Sequence, residues 1–268
     1  MQFFCKMSLS VIVPTYNEVE NIRPLVERLT NSFPTPKNLE ILIMDDESPG
    51  SFETAKIVKQ LQDDKYPVRI HQRSKKEGRG LSSAVLLGFQ LAKHPFLLCM
   101  DADLQHEPEA VPAVSAPVLN GEAEFTVGSR YCHSEGFGFE WAIHRRLISL
   151  VATFLAVGVS RSSDPMSGFF CTTKSVLARA LQNGVNPIGF KIGLEIMARA
   201  NAHPVRDVPI VFRERLAGES KLTFKQNILY LQQLAGLYWA LYKAVLVLLA
   251  LCAVMTTSWL TGAGRSIH

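Results

Sequence analysis

Two glycine-rich motifs that commonly bind nucleotides are missing from this sequence. No G-x-G-x-x-G follows the first predicted strand, and the stretch "GRGLSSAVLLG" has neither the spacing nor the position of that motif. No G-x-x-x-x-G-K-[ST] occurs anywhere in the chain. The first absence argues against a dinucleotide-binding Rossmann enzyme, and the second excludes a P-loop enzyme. Any nucleotide must therefore be bound by other groups.

The sequence also has few cysteines and a low net charge. The five cysteines are odd in number and scattered, which argues against a zinc site or a disulfide framework and fits a reducing compartment. The net charge is only +4, and no basic run is interleaved with aromatic residues, so nucleic acid is not an expected partner. The N-terminal stretch "MQFFCKMSLS" contains no long apolar segment, so no signal peptide is expected.

One long apolar run is present, near the end of the chain. Residues 244–260 carry no charge, and as a helix they would measure about 25 Å, just short of the roughly 30 Å core of a bilayer. We predict a C-terminal transmembrane anchor there, preceded by an amphipathic, interfacial helix over 223–243. A buried core helix is the alternative. Lysines precede the run and Arg265 alone follows it, which weakly places the bulk of the protein on the cytosolic side.

Strands and helices alternate through the first hundred residues. Apolar runs in "LSVIVP", "LEILIM", "YPVRIHQR" and "PFLLCM" are typical of strands, and segments of helical spacing separate them. This alternation predicts right-handed βαβ units and a mostly parallel sheet, hence an α/β fold. Further strands are predicted in "EFTVGSRY", "PMSGFFCTTKSVL" and "VRDVPIVF". The apolar stretch 148–159 is too short to span a membrane and either packs in the core or inserts shallowly at a bilayer surface.

Acidic turns follow three of the predicted strands. "TYNE" follows the first strand, "DDESPG" the second and "DADLQH" the fourth, and ligands of parallel sheets bind at such carboxyl ends. In an extended segment Asp101 and Asp103 point to the same side, and Gln105 adds a neutral oxygen. Oxygen ligands suit Mg²⁺ or Mn²⁺, and such an ion would neutralise a diphosphate leaving group. Simple capping of the following helix is the alternative.

The motifs "SVIVPTYNE", "DDESPG", "MDADLQHEP", "GSRY", "SDPMSGFF" and "GESKL" together resemble the inverting family-two glycosyltransferases. Within that family, their order and spacing are similar to those of the dolichyl-phosphate mannosyltransferases. The resemblance runs from about Leu9 to Leu222 and implies a GT-A type, Rossmann-like catalytic domain over 1–222. It also implies GDP-mannose as the donor and dolichyl phosphate, held in the membrane bilayer, as the acceptor, with no accessory subunits required.

The same resemblance assigns roles to individual positions. It implies that the metal ligands are Asp101, Asp103 and Gln105. It implies that the acceptor phosphate is bound by Arg130, Arg145 and Ser149, and that Asp103, Arg130 and Arg145 are the catalytic residues. The implied donor contacts are Pro14, Tyr16, Glu18, Asp45, Asp46, Asp101, Ala102, Arg215 and Lys221. Structural ion pairing is the alternative role for Arg130 and Arg145, and Asp164 is either a turn former or a site residue.

The chemistry of such a reaction fits this set of residues. A lipid phosphate is already an anion at neutral pH, so it needs no general base to attack. The obstacle is repulsion from the donor diphosphate, which arginines and a metal ion would reduce. We therefore expect a transferase at the cytosolic face of the endoplasmic reticulum membrane. The alternatives are a polyprenyl-phosphate glycosyltransferase with another donor such as UDP-glucose, a catalytically silent nucleotide-binding scaffold, and a soluble nucleotidyltransferase.

Overall fold

The structure is a computed structural model that describes residues 8–33, 35–132, 143–213 and 224–263, with only the backbone described at 143–148 and over most of 244–263. The strands are β1 (Leu9–Thr15), β2 (Leu39–Asp45), β3 (Val68–Gln72), β4 (Phe96–Cys99), β5 (Phe125–Ser129), β6 (Phe170–Thr173) and β7 (Val205–Pro209). The helices are α1 (Val19–Ser32), α2 (Ser51–Asp63), α3 (Leu81–Leu91), α4 (Val111–Leu119), α5 (Ile143–Ala156), α6 (Lys174–Gln182), α7 (Ile192–Arg199) and α8 (Phe224–Ala263).

The described strands form one seven-stranded sheet in the order β3-β2-β1-β4-β6-β5-β7. All neighbours pair in parallel except β6, which runs antiparallel to both β4 and β5. The prediction of a mostly parallel sheet is confirmed. The reversal of β6 brings its first residues beside the carboxyl end of β4, where Cys99 pairs with Phe170. The turn before β6 therefore lies next to the "DADLQH" turn.

The central strands of the sheet are buried on both faces, which explains why β1, β2 and β4 are almost continuously apolar. Successive side chains of a strand point to opposite faces, so Val11 and Val13 pack into one core while Ile12 packs into the other. The helix α1 buries its predicted apolar face against the first of these cores, through Ile22, Leu25, Val26 and Leu29. Helices on both faces leave only the strand ends open, and the polar turns are at those ends.

Helices α5 and α8 pack together beside the sheet. The Tyr230 hydroxyl donates to the Ala152 carbonyl at 2.6 Å, and the Tyr238 hydroxyl donates to the Leu155 carbonyl at 3.0 Å. Stretch 148–159 therefore has an inner face that belongs to the core, where Ala152 and Ala156 are buried. Its outer face remains apolar and exposed, at Leu150, Val151, Phe154, Leu155 and Val157.

The C-terminal helix is continuous. No break separates 223–243 from 244–260, because α8 runs without interruption from Phe224 to Ala263. Within the described part of the chain, no helix reaches the combined length and hydropathy of a membrane span. Most side chains of the predicted anchor, 244–260, fall outside the described residues.

Candidate functional site

A cleft of about 420 Å³ opens at the carboxyl ends of β1, β2 and β4. A cavity of this size is in the range of small-molecule and cofactor sites. The structure brings together there nine of the residues predicted to act in the site, namely Pro14, Tyr16, Glu18, Asp46, Asp101, Ala102, Asp103, Gln105 and Arg130. The three acidic turns therefore do face one shared space, as the sequence predicted.

Asp101, Asp103 and Gln105 line the same side of this cleft. Asp101 is half-exposed and Asp103 is nearly buried, and Asp103 accepts a 3.2 Å hydrogen bond from the Gln105 backbone N–H. Among the described residues, no cluster of three or more His, Cys, Asp or Glu side chains is arranged to hold a metal ion. Two carboxylates and a carboxamide nevertheless form the kind of partial oxygen set that Mg²⁺ or Mn²⁺ completes with phosphate and water.

Asp45 and Asp46 are separated by the structure, although both were predicted donor contacts. Asp46 lines the cleft and is fixed by Arg73, at 2.7 Å, and by the Gly80 backbone N–H, also at 2.7 Å. Asp45 is fully buried and accepts hydrogen bonds from the hydroxyls of Ser48 and Ser51. In this structure Asp45 therefore holds the β2–α2 turn, and only Asp46 reaches the cleft.

Arg130 forms a buried, bidentate ion pair with Asp164. Its Nε and one terminal nitrogen each lie 2.7 Å from a carboxylate oxygen, and its backbone N–H donates to the same carboxylate at 3.1 Å. Burial alone would raise the pKa of Asp164, but the hydrogen bonds and charge of Arg130 hold that pKa below its usual value. Asp164, which the sequence left open as a turn former or a site residue, is thus the partner that fixes Arg130 in the cleft wall.

The remaining predicted residues are placed in part. The Ser149 hydroxyl lies 2.9 Å from the hydroxyl of Tyr131, the residue that directly follows Arg130 in the chain. The side chain of Arg145, and Arg215 and Lys221 as a whole, lie outside the described residues.

The "DADLQH" turn is hydrogen-bonded to residues 212–213. The Gln105 carboxamide donates to the Arg213 carbonyl at 3.0 Å, and the Arg213 N–H donates to the Gln105 carbonyl at 2.9 Å. His106 and Phe212 form an isolated antiparallel bridge in the same place. Movement of segment 212–213 would therefore displace Gln105 directly.

The cleft is also lined by polar side chains that were not among the predicted site residues, including His106, Lys191 and Gln226. His106 is buried between the rings of Phe169 and Phe212, and this burial lowers its pKa to about 4, so it is neutral at pH 7. Lys191 and Gln226 stand in segments remote from the acidic motifs, so no local pattern marked them.

Gly168 lies in the turn before β6, and because it has no side chain the Asp101 carboxylate can pack against its backbone. A Cβ at this position would lie 3.0 Å from one carboxylate oxygen of Asp101 and 3.4 Å from the other. We expect Gly168→Ala to shift that carboxylate by a few tenths of an ångström and to lower kcat/KM about tenfold, since small misplacements of catalytic groups are costly. Steady-state transfer assays and thermal melts measure the two effects separately.

The matched control is Gly236→Ala on α8, where an added Cβ meets nothing within 4 Å. Alanine is the better helix former, so this variant is expected to keep full activity and to gain slightly in stability. Equal activity of Gly168→Ala and the wild type would show that the position of Asp101 does not limit the reaction.

The chain matches the family described as "Glycosyl transferase family 2" over residues 10–180. It is 45% identical over 239 residues to a dolichol-phosphate mannosyltransferase of Mycosarcoma maydis, in a match that covers 86% of this chain and 79% of that protein. It is 44% identical over 237 residues to a dolichol-phosphate mannosyltransferase of Saccharomyces cerevisiae, covering 85% and 86% of the two chains.

A solved structure resembles this one closely enough to show the fold. It is glucosyl-3-phosphoglycerate synthase from Mycobacterium tuberculosis in complex with Mn²⁺, UDP and glucosyl-3-phosphoglycerate, with a TM-score of 0.61 at 16% identity. The match covers 89% of this chain and 81% of that one. This likeness confirms the predicted α/β fold of the GT-A type.

Proposed function

Because this chain belongs to glycosyl transferase family 2, we propose that it transfers mannose from GDP-mannose to dolichyl phosphate. Its identity of 45% and 44% to two dolichol-phosphate mannosyltransferases, over most of their lengths, is the observation that carries the proposal. In-line attack on the α-linked anomeric carbon of the donor inverts that carbon, so the product is dolichyl β-D-mannosyl phosphate. The enzyme is thus a hexosyltransferase.

The donor diphosphate is proposed to lie against Asp101, Asp103 and Gln105 with a divalent ion, Mg²⁺ or Mn²⁺. When bound, this ion supplies charge neutralisation for the departing diphosphate. The oxygen-only donor set fits such a hard cation, and a structure of similar fold contains Mn²⁺ and UDP. Gly168 lies beside the Asp101 carboxylate, where an added Cβ would approach one carboxylate oxygen to 3.0 Å.

Asp46 is proposed to contact the guanine of the donor. Arg73 and the Gly80 N–H each occupy one of its oxygens and fix the carboxylate plane. A carboxylate offers about four lone-pair sites, so two remain for donors such as the N1–H and N2–H of guanine. Uracil presents a single N–H to such a group, which favours a purine donor over UDP-glucose.

On the acceptor side, the chain has to attract an anion rather than remove a proton. The phosphate of the lipid attacks as it stands, so a positively charged wall and correct placement are what the protein contributes. Arg130 lies in that wall, held rigidly by Asp164 and flanked by the Phe212 ring at 5.4 Å from its guanidinium carbon. A fixed guanidinium loses little entropy when a phosphate binds to it.

The acceptor is a lipid, so we propose that the enzyme works at the cytosolic face of the endoplasmic reticulum membrane, with α8 as its anchor. Apolar side chains on the outer faces of α5 and α8 support a bilayer contact, because a soluble surface seldom exposes so many together. On α5 they are Leu150, Val151, Phe154 and Leu155, with Val157 directly after the helix, and on α8 they include Ile228, Leu231, Trp239 and Leu241.

Phe154 tests the bilayer contact, since it is 75% exposed on the outer face of α5. Phe154→Glu is expected to lower transfer to dolichyl phosphate in phosphatidylcholine vesicles about tenfold, because burial of a phenylalanine contributes roughly 1.5–3 kcal/mol. Transfer to acceptor dispersed in detergent should stay within about twofold of wild type. The control is Phe52→Glu on α2, where phenylalanine is 76% exposed and lies outside the cleft lining. Equal behaviour of the two variants in vesicles would contradict the contact through α5.

The decisive assay uses the purified, detergent-solubilised chain alone with dolichyl phosphate and a panel of labelled nucleotide sugars, with and without Mn²⁺. Incorporation from GDP-mannose, lost on chelation and restored by the ion, is the expected result. Transfer from UDP-glucose instead would assign the chain to another polyprenyl-phosphate glycosyltransferase. Binding of GDP without transfer would make it a silent scaffold or one that depends on accessory subunits.

A further inference from the structure

Lys191 is a cation in the cleft wall that the reaction described above does not use. It lies immediately before α7, and its ammonium donates a hydrogen bond to the Met166 carbonyl. The same ammonium sits 4.4 Å from the centre of the Phe190 ring, and all three of these residues line the cleft. The lysine is thus held by a carbonyl on one side and an aromatic face on another.

The charge of Lys191 is not paired with any carboxylate among the described residues. Within the described part of the chain, no carboxylate lies within ion-pair distance of it, whereas the charge of neighbouring Arg130 is balanced by Asp164 at 2.7 Å. Lys191 is partly buried, and an unpaired charge removed from water is costly, so an anion bound beside this ammonium would stabilise it. Burial, followed by the charge of Arg130, lowers the pKa of Lys191 to about 8, while Asp101 and Asp164 oppose that shift from a distance.

The backbone at Lys191 is fixed by helices on either side. The Gln233 carboxamide of α8 donates to the Lys191 carbonyl at 3.1 Å and to the Glu195 carboxylate at 3.2 Å. Glu195 also accepts from Arg199 at 3.0 Å, within α7. This buried network ties α7 to α8 directly beneath the lysine, so the ammonium is presented from a rigid base rather than from a loose loop.

The geometry points to Lys191 as a substrate contact whose ammonium binds a phosphate oxyanion in the cleft. The inference rests on the proposed function, since both of its substrates carry such a group: the donor a diphosphate and the acceptor a phosphate monoester. Lys191 lines the same cleft as Asp101 and Arg130, so its ammonium shares one space with both of them. Its role is binding and placement of the oxyanion, with no covalent step.

The test compares Lys191→Met with Lys191→Arg and with the control Lys174→Met. Lys174 also donates to a backbone carbonyl, that of Ala92 at 2.6 Å, but it lies outside the cleft lining. The measurements are the Kd for GDP with Mn²⁺, the KM for dolichyl phosphate, kcat and the thermal midpoint. A charge-assisted hydrogen bond contributes roughly 1.5–3 kcal/mol, so Lys191→Met should weaken one phosphate-bearing ligand about 10- to 100-fold.

The two sources of the oxyanion give different results. A raised KM for dolichyl phosphate with unchanged GDP affinity identifies the acceptor phosphate, and weakened GDP binding identifies the donor diphosphate. In either case Lys191→Arg should recover most of the loss, and Lys174→Met should behave like wild type. Unchanged Kd and KM for Lys191→Met overturn the inference, even if the thermal midpoint falls. If the wild type itself transfers no mannose, the proposed function fails instead, and GDP binding still reports on Lys191.

Discussion

Asp103→Asn is expected to lower kcat/KM for mannosyl transfer about 1,000-fold. The substitution keeps the shape of the side chain but removes one of the two carboxylate charges that we propose to act on the donor diphosphate. Asp103 is only 7% exposed, so solvent does not screen the lost charge. Metal-assisted neutralisation of a leaving group contributes several kcal/mol, and a 1,000-fold loss corresponds to about 4 kcal/mol of transition-state stabilisation.

The measurement is steady-state transfer over a range of Mn²⁺ concentrations, with Asp63→Asn as the control. Asp63 lies on α2 and pairs with Lys59 at 2.6 Å on the surface, so its neutralisation should leave transfer unchanged. If weaker ion binding is the cause, part of the lost activity of Asp103→Asn should return as Mn²⁺ is raised. A wild-type rate for this variant would mean that the carboxylate does not take part in donor activation.

Asp164→Leu should lower the free energy of unfolding by about 3–5 kcal/mol. The aspartate is fully buried and Arg130 is 6% exposed, so removing the carboxylate leaves a guanidinium charge in the core without a partner. The backbone N–H of Arg130 loses the same acceptor. Urea or thermal unfolding followed by circular dichroism measures the loss. The exposed pair Arg28–Glu109 is a control of the same geometry, and Glu109→Leu should cost less than about 1 kcal/mol.

The double variant Arg130→Met with Asp164→Leu separates charge from packing. Replacing both partners of a buried pair by apolar residues is often neutral for stability, so most of the lost free energy should return. Transfer should remain impaired, because the acceptor side of the cleft then lacks its guanidinium. Simple addition of the two single losses would contradict this interpretation of the pair. Full activity of the double variant would show that Arg130 serves the fold alone.

The sheet could be predicted from sequence because its signals are local. Apolar strands such as the one containing Val11 and Ile12 alternate with helices, and acidic turns mark the strand ends. The rule that side chains of a strand alternate placed Asp101 and Asp103 together. The same rule separates Asp45 from Asp46, whose adjacency in sequence cannot put both in one cleft. The sequence analysis treated the two aspartates alike as donor contacts; that assignment stays a prediction, and of the two only Asp46 lines the cleft.

Other parts of the site depend on contacts that no local pattern encodes. Asp164 lies 34 positions from Arg130, and their pairing follows from the reversed direction of β6 and the turn before it. Lys191 enters the cleft because α7 is held by Gln233 of α8, a contact 42 positions apart in the chain. Such pairs become visible only when the order of the strands is known, since sequence motifs report a strand end but not its neighbour.

Because α8 is continuous, it fixes the direction in which each side chain of the C-terminal segment points relative to the rest of the protein. Gln226, which lines the cleft, and Val247 lie on the same continuous helix, so the angle between their side chains around the helix axis is fixed. Each residue inserted between them rotates the distal part by about 100°, whereas seven residues return it to within about 20°. A chimera that swaps the distal half for a foreign segment must therefore preserve helical phase, or the distal side chains will change direction relative to the cleft.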